Sequence, residues 1–194
     1  MKKKYVQVGL GGRARFFYEA IASTYHQTCE LVGFCDVSQT RMDYANRILV
    51  NKYGQKKVKT CMPSQFEQLL DDVRPAEVII TSVDRTHHDY IIRAMKKGYD
   101  VICEKPLTID EEKAQEIITV QKQTGRSLRV TFNYRYAPYH TKIKELIESD
   151  VIGDVFSIHF EWLLNTQHGA DYFRRWHRNK HNSGGLLVHK STHH

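Results

Sequence analysis

Over its first two thirds the chain alternates short apolar runs, rich in β-branched and aromatic residues, with longer stretches whose apolar positions recur at helical spacing. The runs at residues 5–9, 30–36, 58–61, 77–83, 100–103 and 127–132 predict strands, and the stretches at 13–26, 38–53, 64–72, 87–97 and 110–124 predict helices. This alternation predicts a parallel sheet covered on both faces, because each parallel connection needs a crossover, usually a helix. The class is α/β. Local punctuation points the same way: Ser64 with Glu67 has the capping-box pattern, Thr108 with Glu111 is a looser version, and Gly98 and Gly125 stand where helices should stop.

Beyond residue 132 the pattern changes. Asn133-Tyr134-Arg135-Tyr136-Ala137-Pro138 is aromatic and basic, residues 140–149 predict a short amphipathic helix, and 155–164 alternate as a strand would. Residues 165–183 are polar and rich in His, Arg and aromatics. A boundary near residue 130 divides the chain into domains 1–130 and 131–194. The second has about 64 residues, fewer than the roughly 100–150 of a common domain. It is expected to be the beginning of an α/β, open-sheet domain in a truncated chain.

Composition narrows the class. At 41% hydrophobic and 26% charged, the chain can bury an ordinary core, which excludes disorder and fibres. No apolar run approaches the ~18 residues of a membrane-spanning helix, and the apolar run after Lys2-Lys3-Lys4 is too short for a secretory signal. A soluble, cytoplasmic protein is expected. The net charge of +7 makes anionic partners plausible. Its cations are scattered, with no zinc-finger or basic heptad spacing, so no nucleic acid is expected and a nucleotide phosphate fits as well. Cys29, Cys35, Cys61 and Cys103 form no C-x-x-C pair and read as reduced core thiols.

Gly9-Leu10-Gly11-Gly12-Arg13-Ala14 follows the first predicted strand and opens the first helix, matching G-x-G-x-x-G/A. Small residues suit a tight turn that lets a pyrophosphate reach backbone N–H groups at a helix N-terminus, whose dipole favours anions. An ordinary strand-to-helix turn can look similar, so position carries the reading. Asp36 ends the second predicted strand, 22 residues beyond Ala14, close to the ~20 expected of a carboxylate that accepts from the adenosine ribose hydroxyls. A carboxylate there repels a 2′-phosphate, which favours NAD. NADP stays open, because Ser38 and Arg41 could hold the phosphate if Asp36 turned away. The alternative for Asp36 is a helix N-cap.

Cys103-Glu104-Lys105-Pro106 ends the fifth predicted strand, at the carboxyl edge where open α/β sheets bind ligands. A partly desolvated lysine there can have its pKa lowered towards working pH and exchange a proton with an alcohol or carbonyl oxygen. Pro106 restricts Lys105 to extended conformations. The alternative is a Glu-Lys surface pair ahead of a helix.

Together, Gly9-Leu10-Gly11-Gly12, Asp36, residues 81–87, the run 94–107 that contains Glu104-Lys105-Pro106, and Asn133-Tyr134-Arg135-Tyr136 resemble the glucose-fructose oxidoreductase / inositol dehydrogenase (Gfo/Idh/MocA) family. The likeness runs from residue 4 to the last. It implies an NAD(P)-binding Rossmann domain with a doubly wound parallel sheet, a C-terminal α/β domain with a large open sheet, and hydride transfer to or from a sugar, polyol or related hydroxyl compound. Lys105 matches the catalytic lysine and Glu104 its neighbour at the nicotinamide end. Thr81, Ser82 and His87 match the cofactor-lining segment, beside Gly9 to Ala14, Asp36 and Arg41. Val83-Asp84 departs from the usual Pro-Asn.

The segment from Ser183-Gly184-Gly185 to His193 resembles the family's Gly-Gly helix, which carries an Asp and, four residues later, a His facing the substrate. His189 falls at the Asp position and His193 at the His position, a spacing that would set both on one helical face. His193 is then a proton-transfer or substrate-orienting partner of Lys105. His189 is a substrate contact that cannot play a carboxylate's charge role. The pairs His177/His181 and His189/His193 have a spacing compatible with zinc, but neither forms H-E-x-x-H, and no metal is expected. Arg135 and Trp176 are further candidate substrate contacts; Arg174, Arg175, Trp176 and His177 either bind a polar ring or form the domain surface.

The expected function is an NAD(P)-dependent dehydrogenase or reductase acting on CH–OH groups of a sugar or polyol, a homo-oligomer when full-length and of little or no activity as a fragment. The alternatives are a non-catalytic NAD(P) or sugar sensor or transcriptional co-regulator, and an NAD-dependent glycosidase. Lys105 together with His193 favours an enzyme, since a sensor need not keep both.

Overall fold

A computed structural model describes residues 1–193, the side chain of His168 excepted. Six strands, β1 (Lys3–Val8), β2 (Cys29–Cys35), β3 (Lys59–Cys61), β4 (Glu77–Ile80), β5 (Asp100–Cys103) and β6 (Leu128–Val130), form one sheet in the order β3-β2-β1-β4-β5-β6. All five pairings are parallel. The crossovers are α1 (Ala14–Ala22), α2 (Gln39–Tyr53), α3 (Phe66–Val73), α4 (His87–Lys96) and α5 (Glu111–Thr124). This is the doubly wound α/β sheet expected from the alternation. Strand order reverses between β1 and β4, so a crevice opens at the carboxyl ends of these two strands.

Each face of the sheet has its own core. Phe34 of β2 packs with Ala14, Tyr18, Met42 and Leu49 of α1 and α2. On the other face Val6, Val78, Ile80 and Val101 pack with Phe66, Leu70, Ile91, Met95 and Ile117 of α3, α4 and α5. Continuous apolar runs such as Val78 to Ile80 follow from burial on both sides.

The helix ends differ in part from the sequence signals. Gly125 caps α5 in the left-handed conformation, and Gly98, also at positive φ, follows α4. Ser64 caps nothing: Pro63 opens a 3-10 turn, α3 begins at Phe66, and Glu67 is bound by Arg93 Nε at 2.5 Å and Nη2 at 2.6 Å. The cap of α5 is Asp110, which accepts from the Lys113 N–H at 2.9 Å, and not Thr108.

After β6 come a 3-10 turn (Asn133–Tyr136), α6 (Pro138–Glu148) and α7 (Thr166–Arg174), the last within a segment that carried no helical expectation. Residues 155–164 form no strand. A period-2 pattern needs a neighbouring strand to take its ladder bonds and a surface to take its apolar face, and neither lies beside it among the described residues. Phe156, Ile158 and Leu163 are accordingly 94%, 82% and 92% exposed. The Gly-Gly segment forms a π-helical turn (Leu187–Ser191), where an α-helix was expected. Among the described residues, no helix is long and apolar enough to cross a membrane.

Candidate functional site

The glycine turn is built from below by buried polar groups. Gln7 is fully buried, and its Nε2 donates to the Ala14 carbonyl at 3.0 Å and to Thr81 Oγ1 at 3.1 Å. The Thr81 hydroxyl donates in turn to the Gly9 carbonyl at 2.6 Å. Gly9 has φ +81°, and a Cβ there would lie 2.4 Å from Ser82 Cα. A Cβ on Gly11 or Gly12, by contrast, would meet nothing within 4 Å. One glycine is therefore required by the fold, and the other two leave the backbone approachable from outside. Thr81 thus supports this turn from below.

Asp36 lies beside the same turn and is 4% exposed. Its Oδ2 accepts from the Leu10 N–H at 2.5 Å, and its Oδ1 accepts from the Ser38 N–H at 2.8 Å, with Arg41 Nη1 at 3.7 Å. Ser38, whose Oγ accepts from the Arg41 N–H, is the cap of α2. Asp36 therefore faces the glycine turn and does not cap the helix. It has not turned away to free Arg41 for a phosphate.

At the end of β5, Glu104 Oε1 accepts from Arg13 Nε and Nη2, each at 2.9 Å, and from Thr131 Oγ1 at 2.8 Å. Arg13 thus bridges the start of α1 to the Glu-Lys-Pro loop. The Lys105–Pro106 bond is cis. His87 is 1% exposed, and its two ring nitrogens contact the carbonyls of Pro106 at 2.8 Å and Ser82 at 3.1 Å. It ties together the loops after β4 and β5. Ser82, half-buried, accepts from the Thr86 hydroxyl at 2.8 Å.

Lys105 extends into the space between this loop and the Gly-Gly turn, where its Nζ donates to the His189 carbonyl at 2.6 Å. Burial pushes its pKa below the ordinary lysine value; Asp84 and Glu104 oppose the shift, while Lys190 and Arg13 add to it. The turn can come this close because of Gly184, which has φ +70° and whose Cβ would lie 2.7 Å from the Ile109 carbonyl oxygen. Asp84, 3% exposed, accepts from His189 Nδ1 at 2.5 Å.

The two histidines of the turn take different partners. The His189 ring is bounded by His177, Trp176 and Tyr172, with ring centroids at 4.8, 5.4 and 5.6 Å. His193 stacks on Tyr134 at 4.2 Å and 16°, and Lys190 Nζ lies 5.8 Å from the Tyr134 centroid. Trp176 stacks on His177 at 3.8 Å. Arg135, Arg174 and Arg175 are exposed. Gln7, Tyr134, Tyr172 and Lys190 were not singled out as site residues. The only signal in the sequence for Asp84 was its departure from Pro-Asn. A separate cavity of about 670 Å³, among Leu31, Leu49, Lys56, Lys57 and Lys59, contains none of these groups.

Known proteins share this fold. The profile of the Gfo/Idh/MocA oxidoreductase family, NAD-binding Rossmann fold, matches residues 3–132, and the profile of its C-terminal alpha/beta domain matches residues 144–194. YteT of Bacillus subtilis (strain 168) is 34% identical over 99% of this chain and 44% of its own length. Glucose-6-phosphate 3-dehydrogenase of the same organism is 31% identical over 84% of this chain and 43% of its own. The chain thus spans less than half the length of these relatives. In fold it is similar to myo-inositol 2-dehydrogenase from Lactobacillus plantarum, with a TM-score of 0.83 at 20% identity, over 100% of this chain and 54% of that one. It is also similar to scyllo-inositol dehydrogenase from Lactobacillus casei with bound NAD(H) and scyllo-inositol, with a TM-score of 0.79 at 24% identity, over 100% and 54%.

Proposed function

The chain belongs to the Gfo/Idh/MocA oxidoreductase family, and from this premise we propose that the whole protein transfers a hydride between NAD and a hydroxyl or carbonyl carbon of a sugar, polyol or related compound. Residues 1–130 form the cofactor domain, and residues 131–194 begin the substrate domain. The residues present suit NAD. Gly11 and Gly12 leave open space where added methyl groups would stand, and the Asp36 carboxylate is buried against the turn, in place to accept ribose hydroxyls. Bound there, the nicotinamide would supply the hydride acceptor or donor.

The N–H groups of Gly11, Gly12 and Arg13, at the start of α1, would hold the pyrophosphate. Glu104, fixed by Arg13 and Thr131, closes the nicotinamide end. Lys105 Nζ takes a proton from the substrate oxygen during oxidation, or returns it during reduction. Desolvation makes the neutral amine accessible for this. His193, packed on Tyr134, orients the substrate. The relative named glucose-6-phosphate 3-dehydrogenase supports a sugar as the substrate class.

The observation that carries this reading is a half-buried lysine at the carboxyl edge of the sheet, with the Gly-Gly turn folded onto it. Whole protein mixed with NAD and a panel of sugars and polyols should generate NADH absorbance. Lys105→Ala should lower turnover by about 10²–10⁴-fold while NADH still binds; undiminished turnover in that variant would remove Lys105 from the role.

A further inference from the structure

Two buried polar groups have no task in the reaction as described, and they meet each other. Asp84 lies in the 3-10 turn that links β4 to α4, and His189 in the π-helical turn, 105 residues away. The His189 ring holds the carboxylate at 2.5 Å through Nδ1, and its backbone carbonyl holds the Lys105 ammonium at 2.6 Å. One residue therefore grips both charged groups. Ring and carbonyl cannot move independently, because His177, Trp176 and Tyr172 pack around the imidazole. A buried carboxylate is costly unless it is hydrogen-bonded and near positive charge. The bond from His189 is the only side-chain hydrogen bond to Asp84 among the described residues, and Lys105 is close enough to feel the charge of Asp84.

We propose that Asp84 and His189 form a positioning pair for Lys105, the carboxylate serving as counter-charge to the ammonium and the His189 backbone fixing its direction. The proposal rests on the role of Lys105 given above. It makes one exchange of the two departures in the sequence: an acid moves to the loop after β4, and an imidazole takes the acid's place on the Gly-Gly turn. Glu104, held by Arg13 and Thr131, and the cations Lys190 and Arg13 also act on Lys105. His177 and Tyr172 face the imidazole of His189.

The test titrates Lys105 itself. In the full chain, pH-dependent acetylation by limiting acetic anhydride, quantified at Lys105 by mass spectrometry, gives the midpoint of the amine. Asp84→Asn should lower that midpoint by about one pH unit or more, and Asp84→Glu should restore part of it. His189→Gln keeps the carbonyl but removes the ring, leaving Asp84 to face the ammonium alone, so the midpoint should rise. A midpoint unmoved by Asp84→Asn, or moved upward by both variants as in a site merely opened to water, would overturn the pair. If Asp84→Asn does not fold, Asp84→Ser takes its place: a fall of the midpoint supports the pair, and no change or a rise overturns it. An NADH fluorescence titration of the unaltered protein reports separately on the cofactor reading, so that reading can fail while the pair stands.

Discussion

Gly9 and Gly11 sit two residues apart in one turn, and a methyl group added to each would meet different surroundings. At Gly9 it would strike the Ser82 backbone at 2.4 Å, on a backbone of φ +81°. Gly9→Ala should therefore cost about 2–4 kcal/mol of stability in urea unfolding. At Gly11 the methyl group would enter open space. Gly11→Ala should leave stability within about 0.5 kcal/mol but weaken NADH binding about tenfold or more, because the methyl group stands where a pyrophosphate must approach. The contrast is between a fold defect and a binding defect, and unfolding and fluorescence titrations run side by side separate the two. The motif could be read in the sequence because its spacing is local. Its division of labour could not, since Ser82 reaches Gly9 only through the pairing of β1 with β4.

Among the elements, α1 and α2 are joined by Glu19, which accepts from Lys52 Nζ at 2.8 Å and the Tyr53 hydroxyl at 2.5 Å, and also pairs with Arg15. The Lys52, Tyr53 and Arg15 hydrogen bonds lower its pKa from 4.5 to about 2. A carboxyl group whose pKa is depressed in the folded state adds stability above its unfolded pKa and loses it as pH falls through the folded value. Glu19→Gln should therefore lower the thermal midpoint at pH 7, by about 1 kcal/mol in stability given the exposed cationic partners. The gap from the parent protein should close between about pH 4.5 and pH 2; a gap that persists in acid would mean that packing, not charge, is responsible. Strands and helices could be read in the sequence because their periodicity is local. The capping role assigned to Ser64 failed because Pro63 starts a separate turn and because Glu67 meets Arg93 from α4.

In the whole molecule, protection should be uneven. Amides of β1, β4 and β5 are bonded within the two-sided core, whereas those of residues 155–164 have no ladder partner among the described residues. Hydrogen exchange on the full chain should be slowest in these three strands and fast across 155–164; slow exchange there would show a pairing that the structure lacks. The sequence by itself determined the α/β class, the order of elements, the dinucleotide turn with Asp36, and the lysine at the end of β5, because each is written in local periodicity or in short, fixed spacing. Only the tertiary structure decided which acid stands beside that lysine. Asp84 and His189 come together only when the Gly-Gly turn folds back on the sheet edge, a contact between distant segments that no pattern within either one encodes. The same reason explains why residues 155–164 alternate like a strand without being one: a strand is a property of a pair.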